Sequence, residues 1–218
     1  MAGLDKNLQR LWVEGHDDLH VISNLMNRRL PIAPFPREEP TTKIIHPSGS
    51  FDDALDAFAF ALKNQKLERA GLVVDKDSAA HGRWDRVREV LQEVRHQLPE
   101  VVPPSGLIVE SATKPMRWGI WLMPDNQQFG ELEHFVASLT PSLVDLYNHA
   151  QASVAIASKM TGAFRSKDEV KATLHTYLAY VEEPGRPYGD AIARKHFGQS
   201  SAAADAFTEW FKKLFLGS

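Results

Sequence analysis

The spacing of apolar positions changes several times along the chain, and each change marks an element. Leu8 to Val13, closing on the apolar LWV, is a short strand-like segment that ends at the pair Glu14-Gly15. Beyond it, Leu19, Ile22, Leu25 and Met26 recur at three- and four-residue spacing, the stripe of an amphipathic helix. Asp17 and Asp18 fall in its first turn, where the helix dipole favours negative charge. Leu30 to Pro40, LPIAPFPREEP, is a proline-rich loop. A β-like run from Lys43 to His46, the turn PSGS and a helix starting near Ser50 follow. Ser50 with Asp53 three residues on forms a capping-box-like start.

The next strand is Ala70 to Val74, AGLVV, with Asp75 at its end. Trp84, Val87, Leu91 and Val94 share one face of a helix expected from Arg83 to Leu98. After Pro103-Pro104, Leu107 to Val109 and Trp118 to Met123 read as strands, the second running into Pro124-Asp125-Asn126. Helices are expected over Glu131 to Leu139, Pro141 to Ile156, Lys167 to Tyr180 and Ala202 to Phe215, with EEPGRPYG as a stiff loop. In the last helix, Trp210, Phe211, Leu214 and Phe215 are spaced to pack it onto the rest.

Strands alternating with helices predict an α/β fold, a mainly parallel, Rossmann-like sheet sandwiched by helices, with a helical C-terminal extension. The division expected is a sheet domain over residues 1–140 and a helical part over 141–218 packed on it. Short, continuously apolar strands such as LWV and LVV belong to a sheet buried on both faces. In such sheets ligands bind beyond the carboxyl ends of the strands. Glu14, the pair Asp75 and Asp77, and Asp125 all follow strands, so they are expected at that rim.

Composition narrows the chemistry. The chain of 218 residues is 43% hydrophobic and 24% charged, an ordinary globular balance. It has no cysteine, which removes a disulfide scaffold, a Cys-ligated zinc site and a thiol nucleophile. A polar start, MAGLDKNLQR, and short apolar runs point to a cytoplasmic protein with no membrane partner. A net charge of −3 argues against bulk attraction to nucleic acid, although carboxylates that hold cations make such a count misleading. Basic runs occur at Arg28-Arg29, at Lys63, Lys66 and Arg69, and at Arg83, Arg86 and Arg88; most such runs are solvated helix faces.

Hard divalent cations take carboxylate oxygens, and Mg²⁺ completes its shell with water and phosphate. In an extended segment, Asp75 and Asp77 would point to one side and Lys76 elsewhere. Glu14, from an adjacent strand, would join them, and the glycine after it allows close approach. Asp125-Asn126 is as readily a turn as a ligand. Lys76, Lys171 and His175 are candidates to stabilise or protonate a phosphate, and Arg186 is a candidate phosphate contact. Lys171 and His175 lie four apart on one helical face, more often a surface feature.

LWVEGHDD followed by GLVVDKDSA resembles the two signature motifs of the toprim fold, over roughly residues 8 to 126. Topoisomerases, bacterial-type primases, ribosomal-RNA maturation nucleases, recombination mediators and OLD-family nucleases share that fold. The whole chain is also similar, through WLMPDN, GELEHF and EEPGRP, to small stand-alone toprim-like bacterial proteins without an assigned activity. The resemblance implies Glu14 as general base or metal ligand, and Asp75 and Asp77 as ligands of Mg²⁺ or Mn²⁺. By likeness to OLD-type nucleases it adds Asp18 and Glu133 as further ligands, for two metals about 4 Å apart.

This sequence departs from the better-known members. It has no nucleophilic-tyrosine module, no zinc cysteines and no G-x-x-x-x-G-K-[ST] loop. The expectation is therefore a metal-dependent nuclease acting on DNA or RNA. Its alternative is a catalytically silent module that binds nucleic acid or a protein partner; the candidate partners are nucleic acid, a partner protein and a second copy of the chain in a homo-oligomer. A third class is another phosphoryl- or glycosyl-transfer enzyme, since Asp-x-Asp also holds Mg²⁺ for nucleotide-sugars; a phosphatase of the haloacid dehalogenase type is disfavoured, because Ser78 follows Asp77 and the pair ends the third strand.

Overall fold

The computed structural model describes residues 8–30, 44–64, 66–77, 82–92, 98–111 and 115–217. Most of the loop from Leu30 to Pro40, together with Lys43, Ser78 and Val94, lies outside the described residues. Five strands form one sheet in the order β2-β1-β3-β5-β4. They are β1 (Gln9–Val13), β2 (Ile45–Pro47), β3 (Arg69–Asp75), β4 (Leu107–Glu110) and β5 (Arg117–Met123). The first three and β5 run parallel, while β4 pairs antiparallel with β5 at one edge. The fold is α/β with a mainly parallel, Rossmann-like sheet.

Alternation along the strands divides the core into two layers. Leu11, Val13, Val73, Trp121 and Met123 belong to one. Trp12, Ala70, Leu72, Val74, Trp118, Ile120 and Leu122 belong to the other. Both sets are buried, which is why these strands carry almost no polar residues. The second layer is closed by α2 (Phe51–Asn64) and α3 (Arg83–Gln92). At the start of α2 the Asp53 amide donates to the Ser50 hydroxyl at 3.2 Å, the cap read from the sequence.

The first layer is closed by α1 (His16–Arg29), α4 (Leu132–Ser138) and the C-terminal helices. These are α5 (Val144–Ala157), α6 (Glu169–Tyr180), α7 (Tyr188–Ala193) and α8 (Ala202–Phe211), the last widening into a π-helical turn over Lys212–Leu216. Gly71 and Gly119 are register partners on β3 and β5. A Cβ at either would stand 3.2 Å from the Leu214 side chain, so the paired glycines open the space that Leu214 fills. Trp210 donates its indole N–H to the Leu107 carbonyl at 3.0 Å. Phe135, Trp121, Phe207 and Trp210 stack edge-on or tilted around it. The helical C-terminal part thus shares a core with α1 and with β1, β2, β3 and β5.

Boundaries shift in a few places. The helix expected from Arg83 is described only to Gln92, and Leu98 is not helical. The helix expected at Pro141 starts at Val144, because Pro141 pairs with Phe197 as an isolated bridge. Helix α7 was not expected; it begins inside the predicted stiff loop, directly after Pro187. It packs on α1 so closely that a Cβ at Gly189 would lie 2.7 Å from the His20 backbone. Among the described residues, no helix is long and apolar enough to cross a membrane.

Candidate functional site: an acidic cleft at the strand ends

Parallel pairing of β1 with β3 places Glu14 beside Asp75. The Asp75 amide donates to Glu14 Oε1 at 2.8 Å, so the first carboxylate is held by the backbone of the second. Asp75 in turn accepts the Leu132 amide at 2.9 Å, at the first turn of α4. Asp18, in the first turn of α1, accepts the Gly15 amide at 3.0 Å. Glu133, on α4, pairs with Lys171 of α6 at 2.8 Å. These side chains, with Asp17 and Glu131, line an open cleft of about 360 Å³ at the carboxyl ends of the strands.

The electrostatics of the cleft are unusual. Burial, then the neighbouring Glu14 and Asp18 charges, pushes the Asp75 carboxyl up to about 9. Burial raises Asp18 to about 7, with Glu14 and Glu133 adding to the rise against the Gly15 amide. Glu14 is raised by burial too, held back by the Asp75 amide and by Arg83. Acids crowded together and buried in this way cannot all ionise without a cation.

One such cation comes from the protein. Arg83, at the first position of α3, pairs with Glu14 Oε1 and reaches Asp77 Oδ2 at 3.3 Å. Asp77 does not follow the alternation expected of an extended segment. Strand β3 ends at Asp75, and Asp77 takes a left-handed backbone with φ of 54° while its amide donates to the Gly130 carbonyl at 2.8 Å. Its carboxylate therefore meets Arg83, and Asp77 is not among the residues lining the cleft.

Among the described residues, no group of three or more His, Asp or Glu side chains stands arranged to hold a metal ion as it is. Backbone amides and Arg83 each engage an oxygen of these acids. The donor set nevertheless has the chemistry of a hard-cation site. Glu14 Oε2 and Asp75 Oδ2 carry no hydrogen bond among the described residues, and both groups are pinned from behind.

The other candidates lie elsewhere. Asp125 caps its own turn, accepting the Gln127 and Gln128 amides at 2.9 and 2.7 Å. Asn126 is buried and bonds the Leu122 amide and the Pro104 carbonyl. Lys76 donates to the carbonyls of Asn126 and Gln127 at 3.0 and 2.6 Å. His175 bonds the Tyr188 hydroxyl at 3.0 Å, and Arg186 pairs with Glu183 and Asp190. Arg28 donates to the carbonyls of Ile192 and Phe197, Arg29 pairs with Asp205, and Arg86 and Arg88 pair along their own helix.

The cleft thus unites Glu14, Asp18, Asp75 and Glu133, links Asp77 through Arg83, and leaves Asp125 apart. Sequence reasoning missed two members. Glu131 sits in the segment GELEHF two residues before Glu133, and that spacing was its signal. Arg83 was read only as part of a basic run, and nothing local marks it as the partner of Glu14.

Fold and cleft together define an α/β protein with an acidic site of largely buried carboxylates at the carboxyl rim of a mainly parallel sheet. The family model described as "Protein of unknown function (DUF3226)" matches residues 8–216, and the chain belongs to that family. No curated protein and no solved structure matches it.

Proposed function

We propose that the cleft binds Mg²⁺ or Mn²⁺ and hydrolyses phosphodiester bonds of nucleic acid in the cytoplasm, as a toprim-type nuclease. One observation carries the reading. Glu14, Asp18, Asp75 and Glu133 come from distant parts of the chain to one rim, where burial lifts Asp75 and Asp18 far above ordinary carboxylates. Such a site is relieved either by protons or by a hard cation. The acids after the first and third strands also stand side by side, as the toprim resemblance expects.

Asp18 and Asp75 would hold the ion, with Glu133 as a further donor and Asp77 joining if Arg83 swings away, which leaves the free Oε2 of Glu14 for the attacking water. When bound, a divalent ion polarises a phosphoryl oxygen and offsets the charge that develops during displacement. The chain's own residues do the rest. Burial raises the Glu14 carboxyl above its ordinary range and the Asp75 amide orients it, and it takes the proton of the attacking water as the new P–O bond forms. The bond to the leaving oxygen breaks with that oxygen protonated from solvent. Lys171, half-exposed at the cleft wall, offers positive charge to the phosphate.

A second reading has its own support. Arg83 already neutralises Glu14 and Asp77, as expected of a catalytically silent module that binds nucleic acid or a protein partner.

Purified wild type, Glu14→Gln and Asp75→Ala separate these readings on single- and double-stranded DNA and RNA with Mg²⁺ or Mn²⁺. The nuclease reading expects cleavage that a chelator stops and that both variants lose, with unchanged circular dichroism. Undiminished cleavage by both variants ends it. Metal binding without cleavage of any of the four substrates selects the silent module.

A further inference from the structure

The segment Asp75-Lys76-Asp77 separates two cavities. Asp75 lines the acidic cleft, whereas Lys76 lines a second cavity of about 250 Å³. Its walls are of a different kind: the rings of Trp84 and Phe129, the apolar side chains of Val101 and Leu122, and the cations Lys76 and Arg83. Phe129 is 55% exposed and Val101 62%, so both offer apolar surface to an occupant of the cavity. The Phe129 ring is steadied by the Lys76 ammonium 5.1 Å from its centroid. Trp84 is fixed at its edge by a 3.0 Å hydrogen bond to the Glu100 carbonyl, which leaves its ring a rigid wall. Asp85 and Glu100, both exposed, also line the cavity, so the groups of this lining that can meet an anion with positive charge are Lys76 and Arg83.

Two aromatic walls flanked on one side by cations match one class of ligand, a flat aromatic base carrying a phosphate. A base inside a duplex has no free face to offer, whereas every unpaired base does. We propose that this cavity is a subsite for an unpaired nucleobase of single-stranded nucleic acid, the base packing against Phe129 and Trp84 and its phosphate meeting Lys76 and Arg83. The inference rests on the nucleic-acid reading of the neighbouring cleft and deepens it, because it selects single strands over duplexes. Arg83 borders the base cavity and pairs with Glu14 and Asp77, so an occupant of one site is felt by the other.

The tryptophans make the test direct. Trp12, Trp118, Trp121 and Trp210 are at most 4% exposed, and Trp84 alone of the five is partly open to solvent. Oligothymidylate added to the full-length protein in a chelating buffer should therefore quench tryptophan fluorescence, and Trp84→Phe should abolish the quench. An abasic strand of equal length, with the same phosphates and no bases, should neither quench nor bind as tightly. Phe129→Ala, a change at an exposed side chain, should weaken binding of the base-bearing strand about tenfold. Equal binding of abasic and base-bearing strands, no binding of either, or wild-type affinity in Phe129→Ala overturns the subsite. Because metal is chelated throughout, a protein that binds bases in this way but never cleaves loses only the catalytic reading. One that cleaves with no base-dependent quench loses only the subsite.

Discussion

The middle of the sheet and its carboxyl rim lie on the same strands, two residues apart, and obey opposite rules. Val73 is fully buried among apolar neighbours, and everything around it favours the folded state. Asp75 is also largely withdrawn from water, yet it faces Glu14 and Asp18, whose charges oppose its own. The interior follows the pattern of a stable core, and the rim violates it. Local violations of that kind, held in place by a well-packed scaffold, mark the part of a protein kept for function rather than for stability.

Substitutions in the two regions should therefore change stability in opposite directions. The largest effect is expected in the interior. Phe207→Ala, which removes a buried ring packed against Trp121, Phe135 and Trp210, should cost about 3–5 kcal/mol in urea unfolding. A loss under 1 kcal/mol would mean that this face is not the packed core described.

Asp75→Asn should stabilise the metal-free protein instead, since the amide keeps an acceptor for the Leu132 N–H and removes the charge. The sign depends on pH. The Asp75 carboxyl titrates near 3.8 when unfolded and near 9 when folded, so its favourable contribution is complete below about 4 and disappears as pH rises through 9. The variant should gain little at pH 4 and about 1–3 kcal/mol at pH 8. Mn²⁺ should raise the wild-type unfolding midpoint at pH 8 and leave that of the variant nearly unmoved. A variant less stable than wild type at pH 8 would remove the rim from this comparison.

The smallest effect concerns the protein's own cation. If Arg83 stands in for a metal beside Glu14 and Asp77, Arg83→Met should tighten Mn²⁺ binding in calorimetry by about tenfold. Weaker binding would show that the guanidinium supports the ion rather than competing with it.

Much of the scaffold was legible before folding was considered. Short apolar runs marked β1, β3 and β5 because strands buried on both faces cannot carry polar residues, and three- and four-residue spacing marked α1 and α2. The delayed start of α5 and the existence of α7 were not legible. Each depends on a partner distant in sequence, such as Phe197 for Pro141 or His20 for Gly189. The site divided in the same way. Glu14 and Asp75 were visible as acids at strand ends, but the direction of Asp77 depended on a backbone that leaves the strand after Asp75.

By itself the sequence determined which acids end strands, because alternation and apolar runs are local properties written in order along the chain. Only the tertiary structure decided which of those acids share a cleft. Helix α4 brings Glu133 and the Leu132 amide to Asp75, the entry to α1 turns Asp18 inward, and α3 delivers Arg83 to Glu14. These meetings join residues far apart in sequence, and their energies come from burial and charge pairing that no local period records.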